Sequence, residues 1–129
     1  MTMPGRPLRT PLPTRPVTAS PAVDSTYQLL AALVNRDVGG AEAVLDDGAC
    51  VWWSQRGALS AVEGARAAAR ALADLLDERP PTRLSLVGSG PDTVVTSAYE
   101  EDELCWTLEL RVERARVVGV YVRGPRLAA

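Results

Sequence analysis

The chain contains no histidine, no lysine and no phenylalanine. Without histidine there are no imidazole general bases, no Ser–His or Cys–His nucleophile pairs and no imidazole metal sites. Without lysine there are no Schiff-base or P-loop lysines. Proton transfer is left to Asp, Glu, Tyr, Cys or water. Cysteine is scarce too: Cys50 and Cys105 sit in apolar, strand-like contexts, as small buried hydrophobes or as a disulfide pair. Two cysteines in 129 residues make no secreted framework and have no metal-ligand spacing. A formal net charge of −2 gives no electrostatic case for nucleic acid or an anionic membrane. No apolar run approaches the roughly 18 residues of a spanning helix. A cytoplasmic domain without metal or cofactor is expected.

What is present fits one domain: 47% of residues are apolar and 23% charged. Residues 1–23, "MTMPGRPLRTPLPTRPVTASPAV", hold six of the ten prolines, three arginines and no acid. They are expected to form a disordered basic arm, either solvated or docked on a partner. From residue 24 to 129 the pattern predicts an α+β domain. "DSTYQLLAALVNRD" opens with a Ser25–Gln28 capping box, followed by an apolar stripe of Leu29, Leu30, Leu33 and Val34. "AEAVLDDG" predicts a short helix closed by Gly48, and "ACVWWS" a strand. After the loop "QRGAL", Ser60 and Glu63 form a second capping box that opens a helix running to about Arg79. "TRLSLVG", "TVVTSAY", "ELCWTLELRV" and "VVGVYVRG" then alternate as strands around the turns "SGPD", "EED" and "ERAR". Three helices packed on one face of a curved antiparallel or mixed sheet are predicted.

The run "AALVNRDVGGAEAVLDDGACVWW", then "VEGARAAARAL", then a hairpin-rich β half, resembles the nuclear-transport-factor-2-like, or SnoaL-like, cone-shaped proteins over about Tyr27 to Leu127. The resemblance implies a pocket between sheet and helices and leaves the function open. The ketosteroid isomerases of that family carry a catalytic Asp at the position of Trp53, a Tyr donor near Leu29 and a protonated acid near Leu108. With those groups apolar or aromatic, the isomerase mechanism lacks its base and its oxyanion donors. The cyclases' His–Asp pairing has no His to use. The epoxide hydrolases' Asp–Arg–Asp cluster has no counterpart around Arg111 and Glu109, which lie opposite Trp106. The ending "VVGVYVRGPRLA" is similar to the SnoaL-like tail of some extracytoplasmic-function sigma factors. There an Asn-Pro-x-Lys-Leu stretch follows a strand; here Gly124 replaces the Asn, Arg126 follows the Pro and the Lys is missing.

The isomerase resemblance implies, in agreement with strand parity, that Trp53, Val51, Leu104, Trp106 and Leu108 face into the cone and Trp52, Cys50 and Ser54 outward. If "ERAR" closes a short hairpin, Leu108 opposes Tyr121 and brings its hydroxyl inside too. Trp53 and Trp106 then line a pocket or plug the core; Tyr27 and Tyr99 belong to the core or the pocket rim. Outward Trp52 with Thr107, Val118, Val120 and Val122 makes a dimer contact, a face covered by a loop or the arm, or an open patch. Glu100, Glu101, Asp102 and Glu103 form a solvated turn, or a divalent-cation or partner site. The leading expectation is a non-catalytic, dimeric domain that binds a small apolar ligand. The alternatives are a polyketide cyclase or isomerase with Tyr121 or an unplaced carboxylate as proton donor, and an interaction module using the arm and outer sheet.

Overall fold

A computed structural model describes residues 20–55 and 57–124. In chain order it comprises α1 (Pro21–Val34), α2 (Val38–Val44), β1 (Leu45–Gln55), β2 (Ala58–Glu63), α3 (Ala65–Glu78), β3 (Arg83–Ser89), β4 (Thr93–Glu100), β5 (Glu103–Glu113) and β6 (Arg116–Arg123). The six strands form one sheet in the order β2-β1-β6-β5-β4-β3. β1 and β6 run parallel and every other neighbouring pair antiparallel, so the sheet is mixed. The three helices and the sheet share one core. Leu29 and Leu33 of α1, Ala41 of α2 and Leu72 and Leu75 of α3 bury against Val51, Val94, Leu108, Leu110, Val117, Val120 and Val122. The α+β layout is the one predicted.

Several element boundaries differ from expectation. α1 starts one turn before Ser25. Ser20 is its N-cap, with Oγ accepting from the Val23 N–H at 3.2 Å, and Pro21 occupies the first turn, where its missing N–H costs nothing. Pro21, Ala22 and Val23, assigned by composition to the arm, are therefore helical, and Ala22 and Val23 are buried. The rest of the arm, residues 1–19, lies outside the described residues, as does the sigma-factor-like ending after Gly124. Ser25 instead points at the sheet and donates to the Ala115 carbonyl at 2.8 Å. That carbonyl belongs to the tight β5–β6 turn, where Arg114 and Ala115 both hold left-handed backbone, at φ 52° and 65°.

α2 ends at Val44, not at Gly48. Leu45 already pairs with Val117 on β6, and the register then jumps between Leu45 and Cys50. Asp46, Asp47 and Gly48 form that irregularity, with Asp46 Oδ2 accepting from the Gly48 N–H at 3.1 Å. The second capping box is also overturned. Ser60 and Glu63 belong to an edge strand, β2, paired with β1 through Trp53↔Ser60 and Cys50↔Glu63. α3 begins at Ala65 behind Gly64, whose φ of 108° suits glycine and which makes no side-chain cap.

The far end of α3 is clamped to the β4–β5 hairpin. Arg79 donates through Nε to Glu100 at 2.8 Å and through Nη2 to Glu103 at 2.7 Å, while its carbonyl accepts from the Trp106 indole N–H at 3.1 Å. The acidic turn is solvated, as expected, with Glu101, Asp102 and Glu103 exposed, and two of its carboxylates also hold one guanidinium. Among the described residues no group of His, Cys, Asp and Glu is arranged to hold a metal ion, and no helix is long and apolar enough to cross a membrane.

Candidate functional site

The adjacent tryptophans on β1 face opposite sides of the sheet, and each starts a cross-strand row. Trp53 pairs with Val122 on β6, Val122 with Leu108 on β5, Leu108 with Thr96 on β4 and Thr96 with Leu86 on β3. This row faces the helices. Trp52 pairs with Tyr121, Tyr121 with Glu109 and Glu109 with Val95, on the opposite face. Trp52 and Trp53 thus face the sides that alternation assigned to them.

On the helix side, Leu108 and Val122 are fully buried, and Leu29 of α1 packs into the same core. Trp53, Trp106 and Tyr27 are half-buried against that core. Trp53 and Trp106 lie towards the end of the sheet where β1 and β6 finish and β5 begins. Trp106 also joins Leu30, Leu84 and Ala98 in a satellite cluster, and its indole N–H is taken by Arg79. In the row of Trp53, and one row along from Trp106, sits Thr96, fully buried, with no hydrogen-bond partner for Oγ1 among the described residues. The buried polar residues described are Ser25, Thr26, Thr96 and Ser97; no buried carboxylate is among them. Thr26 satisfies itself on the Ala22 carbonyl at 2.8 Å, as a helical threonine commonly does.

Tyr121 and Val120 require correction. At the hairpin the register is the expected one, with Val112 opposite Val117. It then slips by one residue at a bulge, so that Arg111 pairs with Gly119 and Leu108 with Val122 instead of Tyr121. A slip of one reverses every side chain beyond it. Val120 and Val122, expected outside, are core residues, and Tyr121, expected inside, lies on the outer face. The cone therefore loses the tyrosine proposed as proton donor. Tyr99 is outward as well, alternating with buried Thr96 and Ala98, and carries the Arg83 guanidinium 4.1 Å from its ring centre.

The same bulge builds a groove on the outer face. It encloses about 530 Å³ and is lined by Trp52, Tyr121, Val118, Glu109, Arg111 and Glu113, with Thr93 and Gly119 in its floor and walls. The Trp52 indole lies on Gly119: a Cβ there would fall 3.0 Å from Cζ3. Arg123 sits 5.3 Å from the Tyr121 ring centre and 3.6 Å from Glu109, while Arg111 and Glu113 approach to 3.7 Å. Of the residues expected at a dimer face, Trp52 and Val118 line this groove and Thr107 lies on the neighbouring stretch of β5. Sequence reasoning missed the groove, although an isolated glycine inside "VVGVYV" is the signal for a bulge or a close approach, and here it marks both. Both cysteines are free thiols; burial pushes that of Cys105 above its ordinary range, partly opposed by Arg79.

No protein-family model matches the chain, and no curated protein matches it in sequence. Solved structures do share its fold. A steroid delta-isomerase from Pseudomonas aeruginosa is 18% identical with a TM-score of 0.61, over 89% of this chain and 86% of that one. A protein from Sphaerobacter thermophilus is 17% identical with a TM-score of 0.60, over 81% of this chain and 96% of that one. An epoxide hydrolase of the LEH-like type from M. tuberculosis is 17% identical with a TM-score of 0.52, over 81% and 83% of the two chains. At these identities the likeness establishes the fold alone: the α+β cone of the nuclear-transport-factor-2-like kind.

Proposed function

We propose that this domain binds a small, largely apolar molecule on the helix side of its sheet, between Trp53 and Trp106, without transforming it. The observation that carries the reading is Thr96. A buried hydroxyl without a partner costs about 1–3 kcal/mol, and here it stands in a row whose other members, Trp53, Val122, Leu108 and Leu86, are apolar. A ligand with an apolar body and one hydroxyl or ketone, such as a polycyclic or polyketide-like compound, would satisfy that group and bury its remainder against the row. Half-buried Trp53 would move aside to admit it, while Trp106, held by the Arg79 carbonyl, would stay as a fixed wall. Non-catalytic binding is favoured because the three positions where the resembling isomerases keep their acid–base groups are Leu29, Trp53 and Leu108 here. Two of those three are fully buried in the core.

Intrinsic tryptophan fluorescence and thermal shift across a panel of sterols, polycyclic ketones and polyketide-like phenols test the proposal. A binder at 100 times its Kd raises stability by about 2.7 kcal/mol. Thr96→Val removes the hydroxyl at nearly constant shape. It is expected to raise the melting temperature of the free protein, by relieving an unsatisfied group, while weakening the best binder about tenfold, the scale of one hydrogen bond. A panel that moves neither signal sinks the proposal, as does catalytic turnover of a bound ketone.

A further inference from the structure

Three features lie outside the ligand reading: the Arg79–Glu100–Glu103 clamp, the thiol of Cys105 and the groove on the outer sheet face. The clamp is occupied in joining α3 to the β4–β5 hairpin, and the thiol is a lone buried cysteine. The groove is open and carries an exposed aromatic pair framed by charges.

We infer that this groove is the docking site of the chain's own segment before Ser20, with residues 9–17, "RTPLPTRPV", as its occupant. The chemistry of the two surfaces matches. Proline arrives with φ already set and no N–H to desolvate, so Pro-rich segments lose little entropy on binding, and they dock on grooves lined by aromatic rings. Trp52 and Tyr121 provide such rings side by side on neighbouring strands. Arg9 and Arg15 bring positive charge with no acid among residues 1–19, and Glu109 and Glu113 stand along the groove to receive it. The present partners of those carboxylates, Arg123 and Arg111, hold them only at 3.6 and 3.7 Å in exposed pairs, so the exchange is inexpensive.

Position agrees with chemistry. The N-terminal half of α1 is fixed to the β5–β6 turn by the Ser25–Ala115 hydrogen bond, and Ser20 is five residues, about 7.5 Å of helix, from Ser25, within reach of the end of the hairpin where Glu113, Arg111 and Val118 begin the groove. From there to Tyr121 is about 17 Å along β6 after about 10 Å to pass the sheet, at ordinary strand rise and layer spacing. Eleven residues, 9–19, reach roughly 34 Å at the rise of a polyproline helix. A second copy of the chain is the less suited occupant. Within the groove the exposed apolar group is the Trp52 indole, 36% exposed and hemmed by four charged side chains; Leu59 and Val87, also exposed, stand outside its lining, so the groove itself is no broad apolar face.

The test is paramagnetic relaxation on the full chain. A nitroxide is attached at Thr14→Cys in a Cys50→Ser background, buried Cys105 being left in place, and Thr10→Cys serves as a second labelling position. Loss of signal intensity at the Gly119 and Tyr121 amides and at the Trp52 indole is expected, independent of protein concentration. Recovery is expected at the Gly119 and Tyr121 amides with Trp52→Ala, and at all three groups with Arg9→Glu/Arg15→Glu. Full intensity at those three groups with both labels overturns the inference. So does broadening when nitroxide and ¹⁵N are on different molecules, which would make a second copy the occupant.

Discussion

Ala115 sits where a glycine belongs. It and Arg114 hold left-handed backbone across the β5–β6 turn, a conformation that costs an L-residue with a Cβ roughly 1–2 kcal/mol. The turn keeps it because the flanking strands require a connection of that hand and because the Ser25 hydroxyl takes the Ala115 carbonyl. Ala115→Gly is expected to stabilise the fold by about 1 kcal/mol, a rise of about 3–5 °C in melting temperature, since the Ser25 bond uses backbone and survives. A melting temperature unchanged or lowered would show that the turn is held there at no cost. Trp53 illustrates the other limit of residue-scale reasoning. Alternation alone assigns its face, because no irregularity separates it from Val51 or from the pairing with Val122. What it does there, whether lining or plugging, depends on neighbours three strands away that no local pattern reports.

Among the elements, legibility followed regularity. β5 was readable from Trp106 to Val112, where Trp106, Leu108, Leu110 and Val112 alternate, but a bulge at Cys105 puts Leu104, expected inside, opposite outward Tyr99; α3 was readable because its apolar and charged faces separate cleanly. β2 was unreadable for a physical reason: Ser60 and Glu63 have the spacing of a capping box, and an edge strand with one solvated side needs little hydrophobic alternation to form. The start of α1 was hidden by composition, since Pro21 counted towards an arm when it is in fact well placed in a first helical turn. β6 went astray at a single residue. The bulge at Val118 is invisible to a parity argument, yet it moves Tyr121 out and Val120 in. Gly119 is its structural marker and can be tested as such. Gly119→Val adds β propensity of at most about 1 kcal/mol, but its side chain collides with the Trp52 indole. Overpacking of that kind costs about 1–3 kcal/mol, so net destabilisation is expected in urea unfolding, with a red-shifted fluorescence maximum as Trp52 is pushed into water. Gly119→Ala should show a smaller effect, because the ring is free to lift on its exposed side.

For the molecule as a whole, the decisive contact is the parallel pairing of β1 with β6. It closes the sheet by joining residues far apart in sequence, Leu45 to Val117 and Trp53 to Val122. β6 also supplies Val117, Val120 and Val122 to the core. Three buried valines at about 1.5 kcal/mol or more each already rival the stability of a typical domain, about 5–15 kcal/mol, before the two lost ladders are counted. A chain ended after Glu113 is therefore expected to lack a cooperative melting transition and a near-ultraviolet circular dichroism signal. A truncated chain that melts cooperatively would mean the remaining strands suffice.

That strand order also governs how the protein is made. β6 is the last described strand to leave the ribosome and the third in the sheet, so β1 and β5 wait for it with open edges. At 5–20 residues per second, residues 1–115 take roughly 6–23 s to appear. From its own synthesis until β6 is complete, the apolar face of "VWW" waits through 70 further residues, roughly 4–14 s, and that of "ELCWTLELRV" through the last eleven, with no closed core to enter. The nascent chain is thus a natural client for chaperones that shield exposed apolar strands, until "VVGVYV" emerges and slots in between β1 and β5.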